Sequence, residues 1–113
     1  MSDSVQIHPA PGTWVLRAGD AVLGESQNAV AVIENGDAPV IYIPRADIAM
    51  VFLERSTTQT DCPHKGQASY YSIVTPAGTI RDAVWSYEAP PPALAALTGH
   101  LAFYTDQVTL ERL

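Results

Sequence analysis

The run Gln67-Ala68-Ser69-Tyr70-Tyr71-Ser72-Ile73-Val74-Thr75-Pro76-Ala77-Gly78-Thr79-Ile80-Arg81-Asp82-Ala83-Val84-Trp85-Ser86-Tyr87 decides the fold class. Its first part, Gln67 to Thr75, is rich in β-branched and aromatic residues that fit a pleated surface, and neighbours point to opposite sides. One face takes Ala68, Tyr70, Ser72 and Val74; the other takes Ser69, Tyr71, Ile73 and Thr75. Pro76-Ala77-Gly78 turns the chain. Thr79 to Tyr87 then returns with Arg81, Ala83, Trp85 and Tyr87 on one face and Ile80, Asp82, Val84 and Ser86 on the other, which specifies a β-hairpin.

Immediately before it, Thr60-Asp61-Cys62-Pro63-His64-Lys65-Gly66 carries the only cysteine, the only lysine and one of three histidines. Pro63 and Gly66 bracket a turn, because glycine takes positive φ without steric cost. Glu54 to Thr60, polar and rich in Ser and Thr, suits an exposed strand entering that loop. Ile48, Val51 and Phe52 fall at i, i+3 and i+4, so the spacing predicts a short helix from Pro44 to about Leu53, although the same apolar run also suits a buried strand.

Further out, Trp14 to Arg17 and Ala21 to Glu25 form a hairpin about Ala18-Gly19-Asp20. Asn28 to Glu34 is a third strand, Asn35-Gly36 a type I′ turn signal, and Val40 to Ile43 a fourth strand. Residues 1–12, polar and ending in Pro9-Ala10-Pro11-Gly12, read as an N-terminal arm, which leaves 13–113 as one domain. Beyond the hairpin, Pro90-Pro91-Pro92 stops the sheet, Ala93 to Leu97 is a helical piece ended by Gly99, and Leu101 to Thr105 and Gln107 to Arg112 are strands joined at Asp106. About eight short strands with one or two short helices specify an all-β domain, and no helix is long enough for the crossovers of a parallel sheet.

With 113 residues, 47% of them hydrophobic and 16% charged, the chain suits one compact domain rather than a disordered segment. A net charge of -6 with only six scattered basic residues argues against nucleic acid and against an anionic membrane surface. No run of ~18 apolar residues offers a transmembrane helix. A single cysteine excludes an internal disulfide and any two-cysteine metal site, and the dispersed histidines have no ligand spacing, so neither metal nor cofactor is expected. Met1 to Pro9 lacks a basic start followed by an apolar run, so the expected compartment is the cytoplasm.

Four blocks carry a family resemblance: Tyr42-Ile43-Pro44-Arg45-Ala46-Asp47-Ile48; Cys62-Pro63-His64-Lys65-Gly66 with Ala68 and Tyr70; Trp85-Ser86-Tyr87; and Ala102-Phe103-Tyr104. From about His8 to Val108 the chain resembles the bacterial domain-of-unknown-function family 427. That resemblance implies a β-tent, the arrangement of two antiparallel sheets shared with the Mss4, methionine sulfoxide reductase B and cereblon ligand-binding domains. It implies no activity, and the nucleotidyltransferase label sometimes attached to the family conflicts with the residues. Nucleotidyl transfer needs metal ions held by paired carboxylates, and the chain has no Asp-x-Asp or Asp-x-Glu pair and no glycine-rich phosphate loop. β-Tent relatives carry two Cys-x-x-Cys zinc knuckles; here Lys65 stands where the second cysteine of one would be, and the other knuckle is missing. The fold is therefore expected to hold without structural zinc.

Within that frame Cys62 reads either as a nucleophile, with His64 or the distant His100 as its base, or as a small buried turn residue. Nearby cations favour its thiolate and Asp61 opposes them. Lys65 reads as an anion-binding group or as a solvated one. Pro44 redirects the chain, while Arg45 and Asp47 are expected to anchor the cysteine loop through an ion pair or hydrogen bond. Tyr70, Trp85 and Tyr87, with Trp14 and Tyr104 able to join them, read as core or as the wall of a pocket for a planar or cationic molecule. The expected function is small-molecule binding near the Cys-Pro-His-Lys-Gly loop by Arg45, Lys65, Tyr70, Trp85 and Tyr87, with Pro44, Asp47 and Gly66 shaping the site. The alternatives are cysteine-dependent catalysis by Cys62 and His64, and a homodimer formed through an exposed strand edge.

Overall fold

In a computed structural model describing residues 4–113, the expected hairpin is the spine of the larger of two sheets. Its strands, Gly66–Thr75 and Gly78–Tyr87, set Ala68 opposite Tyr87 and Tyr70 opposite Trp85. In chain order the described strands are β1 (Val5–Pro9), β2 (Trp14–Ala18), β3 (Ala21–Ser26), β4 (Val30–Glu34), β5 (Val40–Pro44), β6 (Leu53–Cys62), β7 (Gly66–Thr75), β8 (Gly78–Tyr87), β9 (His100–Phe103) and β10 (Thr109–Arg112). Seven of them make an antiparallel sheet in the order β1-β4-β5-β9-β8-β7-β6, and three make a second in the order β10-β2-β3. Among the described residues no helix is long and apolar enough to cross a membrane.

Each face of the larger sheet carries a buried core. One packs on the small sheet, so that Leu16 and Leu23 meet Ile43, Ile73, Val84, Leu101 and Phe103. The other carries Val32, Tyr42, Ala68, Tyr87 and Ala102 beneath Leu97, with Cys62, Tyr70 and Trp85 packed at its margin. Consecutive residues of a strand therefore serve different cores: Tyr71 belongs to the first and Tyr70 to the second.

The alternation expected over Thr79 to Tyr87 breaks at Asp82, whose φ is 49° and where the β7–β8 register shifts. Beyond that bulge Ala83 packs in the first core, away from Trp85 and Tyr87. A second irregularity interrupts β6 between Arg55 and Gln59.

Three other expectations give way to tertiary pairing. The arm proposed for residues 1–12 contains β1, which pairs with β4 and turns Val5 and Ile7 toward the second core; Met1 to Asp3 lie outside the described residues. The helix expected from Pro44 to Leu53 is instead two 3-10 turns, Arg45–Asp47 and Met50–Phe52. Val51 is 87% exposed while Ile48 is buried, because Ile48 bridges to Gly24 and the Ala49 N–H donates to the Leu23 carbonyl at 2.7 Å, β-type bonds that displace helical ones. Finally the strands expected over Leu101 to Thr105 and Gln107 to Arg112 are His100–Phe103 and Thr109–Arg112, one in each sheet, with a longer turn between them in which the Gln107 N–H donates to the Tyr104 carbonyl at 2.9 Å.

The seam between β3 and the Arg45–Asp47 turn is close-packed. Ser26 donates its hydroxyl to Asp47 Oδ2 at 2.6 Å, and a Cβ placed on Gly24 would stand 2.5 Å from the Asp47 carbonyl oxygen. Backbone cannot yield as a flexible side chain would. Gly24→Ala is therefore expected to lower stability by about 1–3 kcal/mol, measured as a lower urea midpoint with an unchanged m-value.

Candidate functional site

Aromatic residues of the second core form a connected row. Trp85 donates its indole Nε1–H to Tyr42 Oη at 3.1 Å, the two rings standing edge to face with centroids 6.3 Å apart. On the other side the Tyr104 ring lies 4.7 Å from Trp85, tilted by 48°. The Tyr104 hydroxyl bonds to that of Tyr70, which also lies 3.1 Å from Thr60 Oγ1. Burial removes the water that would solvate a phenolate, so Tyr42 is pushed up to about 12 and Tyr87 is raised as well. Tyr104 is also raised, first by burial and then by its bond to Tyr70.

Trp85 and Tyr104 form part of the wall of a cavity of about 420 Å³, completed by Val40, Phe103, Leu110 and the rim carboxylate of Asp106. Its size and its mostly apolar walls with a polar group at the edge suit a small organic ligand. The sequence points to Trp85, but it shows Tyr104 only as able to join the group and Asp106 only as a turn residue, because nothing local in it shows that the end of β9 meets the start of β5.

The cysteine loop lies elsewhere on this face. Cys62 is half-buried and packs against the Tyr42 and Tyr87 cluster, whereas Pro63 and His64 line a shallower depression with Val5, Pro91 and Leu94. Lys65 is 7% exposed, lies 5.4 Å from the centre of the Tyr87 ring and is ion-paired with Glu34 of β4. Its charge is already matched, as a buried ammonium requires. Gly66, at φ 94°, lets the chain reverse here, and a Cβ on it would touch the Ala89 carbonyl at 3.4 Å.

Arg45 lies with the opposite face. Its Nη2 donates to Glu88 Oε2 at 2.8 Å and to Tyr71 Oη at 3.2 Å, and Tyr71 donates to the same carboxylate oxygen at 2.8 Å. Arg55 adds an ion pair to Glu88 at 3.4 Å and a bond to Ser69 Oγ at 2.9 Å. Both guanidinium groups lie within 6 Å of the Tyr71 ring centre, at 5.6 and 5.8 Å. Arg45 and Asp47 are thus anchors, but they hold the turn after Pro44 to Tyr71 of β7, to Glu88 just past β8 and to Ser26 of β3 rather than to the cysteine loop. The local sequence does not reveal Glu88 or Ser26, which lie 43 residues from Arg45 and 21 from Asp47. Among the described residues no three His, Cys, Asp or Glu side chains converge as a metal-binding group.

Two antiparallel sheets, almost no helix and an aromatic-lined second face define a mainly β domain of the β-tent, Mss4-like type. The family described as a domain of unknown function (DUF427) matches residues 6–112, and the chain belongs to it. No curated protein matches the sequence.

Two outcomes are expected here. Glu34→Gln leaves the Lys65 ammonium unmatched and should cost roughly 2–3 kcal/mol, less than for a fully sealed pair because Glu34 keeps 31% of its side chain exposed. Adding Lys65→Met should recover part of that loss in a double-mutant cycle. The second concerns alkaline pH. Tyr42 releases its proton near 10 when unfolded and near 12 when folded, so the unfolded chain binds fewer protons between those values. Its contribution is complete below about pH 10 and is lost as pH rises through about 12. Tyr42→Phe should flatten that alkaline decline in urea-unfolding measurements.

Proposed function

We propose that this domain binds a small organic molecule with a planar or cationic body against Trp85 and Tyr104, its hydrogen-bond donor directed to Asp106. The carrying observation is the 4.7 Å approach of the two rings on the wall of a mostly apolar cavity of about 420 Å³. The indole N–H is engaged by Tyr42, so the ring is oriented before any ligand arrives and little ordering entropy is lost on binding. A rim carboxylate on a chain of net charge -6 favours a neutral or cationic ligand over an anion.

In this reading the Cys-Pro-His-Lys-Gly loop frames the aromatic face and does not hold the ligand directly. Lys65 pins the loop by pairing with Glu34 over the Tyr87 ring, and Cys62 fills space beside it. The reading also favours binding over cysteine catalysis, since the Lys65 ammonium of the same loop is already engaged by the Glu34 carboxylate.

Screening a metabolite library by thermal shift, with tryptophan fluorescence as the second readout, tests this. A ligand is expected that raises the melting temperature and perturbs emission in Trp14→Phe as it does in the parent chain. Trp85→Ala and Asp106→Asn should each weaken it by roughly tenfold. Equal affinity in all three variants would remove the ligand from this cavity.

A further inference from the structure

A second cavity, of about 510 Å³, opens where the ladders on both sides of β7 are interrupted. Hydroxyl groups from Ser56, Thr58, Ser72 and Thr79 line it, and Asp82 stands among them. Thr58 donates its hydroxyl to Asp82 Oδ2 at 2.8 Å, Ser56 bonds to the same carboxylate, and the Asp82 N–H donates to Ser72 Oγ at 3.1 Å. These two hydroxyl donors also hold the Asp82 carboxyl below its ordinary range, so it is ionised at neutral pH. A carboxylate accepts about four hydrogen bonds, so Asp82 retains acceptor capacity after binding both hydroxyls.

The backbone pays for this arrangement. Asp82 has φ 49°, a conformation that strains most L-residues by roughly 1 kcal/mol or more, and such strain is tolerated where surrounding contacts impose it. The charges in the wall balance, Glu54 and Asp82 against Arg55 and Arg81, and Arg55 is partly engaged by Glu88 and Ser69. A wall dense in hydroxyls, with a fixed carboxylate acceptor, guanidinium donors and no net charge, matches a neutral ligand carrying many hydroxyl groups better than it matches an ion.

We infer that the cavity between the β6 and β8 bulges is a binding site for a polyhydroxylated ligand of the monosaccharide or cyclitol class. Asp82 accepts hydrogen bonds from adjacent ligand hydroxyls, and Arg81 and the wall hydroxyls donate and accept around them. This site is separate from the cavity of Trp85 and Tyr104 and does not depend on what that cavity binds.

The test is a ¹H–¹⁵N NMR titration of the full chain with D-glucose, D-ribose and myo-inositol, and separately with sodium phosphate. At least one of the polyols is expected to cause saturable shifts at the amides of Ser56, Thr58, Ser72 and Asp82. Asp82→Asn removes the charge yet keeps a residue that tolerates positive φ. It should keep the fold, seen as unchanged amide shifts away from the cavity, and bind roughly tenfold more weakly or worse. Thr79→Val, which alters an exposed wall hydroxyl without touching the bulge, should weaken binding as well. The inference is overturned if none of the three polyols produces saturable shifts at those amides, if phosphate alone does, or if both variants bind the polyol as the parent chain does.

Discussion

The larger sheet is apolar on both faces, and covering two faces with one short chain is the constraint from which the architecture follows. The small sheet closes one side through Leu16 and Leu23, and the Pro92–Leu97 segment closes part of the other with Leu97. Because side chains alternate, every long strand of the sheet contributes to both cores. Sheets that bury one face expose a clean polar one; here exposed polar residues concentrate along edge strand β6 and at the loops instead.

Ion pairs sit where this covering is thinnest. Lys65 and Glu34 bring the β6–β7 loop against the outer part of β4, while Arg45, Arg55, Glu88 and Tyr71 bind the turn after β5 and the β6 edge to the end of β8. The second network is partly solvated, so its hydrogen-bond geometry contributes more than its net Coulomb energy. Both join segments distant in sequence, and Arg55 belongs both to the second network and to the wall of the hydroxyl-lined cavity.

Those two regions differ in what they offer a ligand. At the start of β5, Trp85 and Tyr104 present π-faces beside a single carboxylate; at the β6 and β8 bulges, hydroxyls surround Asp82. The first arises because β9 ends beside β5 before the chain leaves for the small sheet, the second because two ladders lose register around the same stretch of β7. Family membership names a domain without a known activity, so the chemistry rests on these two surfaces.

Much of the strand order along the chain was readable locally, since period-two patterning, Asn35-Gly36 and Pro76-Ala77-Gly78 are short-range signals. The aromatic face was readable in part: Tyr70, Trp85 and Tyr87 sit on one hairpin and share the second core, but of these only Trp85 lines the cavity with Tyr104. Lys65 and Arg45 were legible as residues of consequence but not as members of opposite faces, because their partners Glu34 and Glu88 are set by sheet order. The sequence by itself determined an all-β chain, its hairpin and its lack of cysteine pairs. Tertiary structure alone decided that Val5–Pro9 is a strand, that Pro44 to Leu53 is not a helix, and which residues share a cavity. The physical reason is that backbone bonding to a distant strand, such as Ala49 to Leu23, outweighs local propensity, and no local pattern encodes the partner.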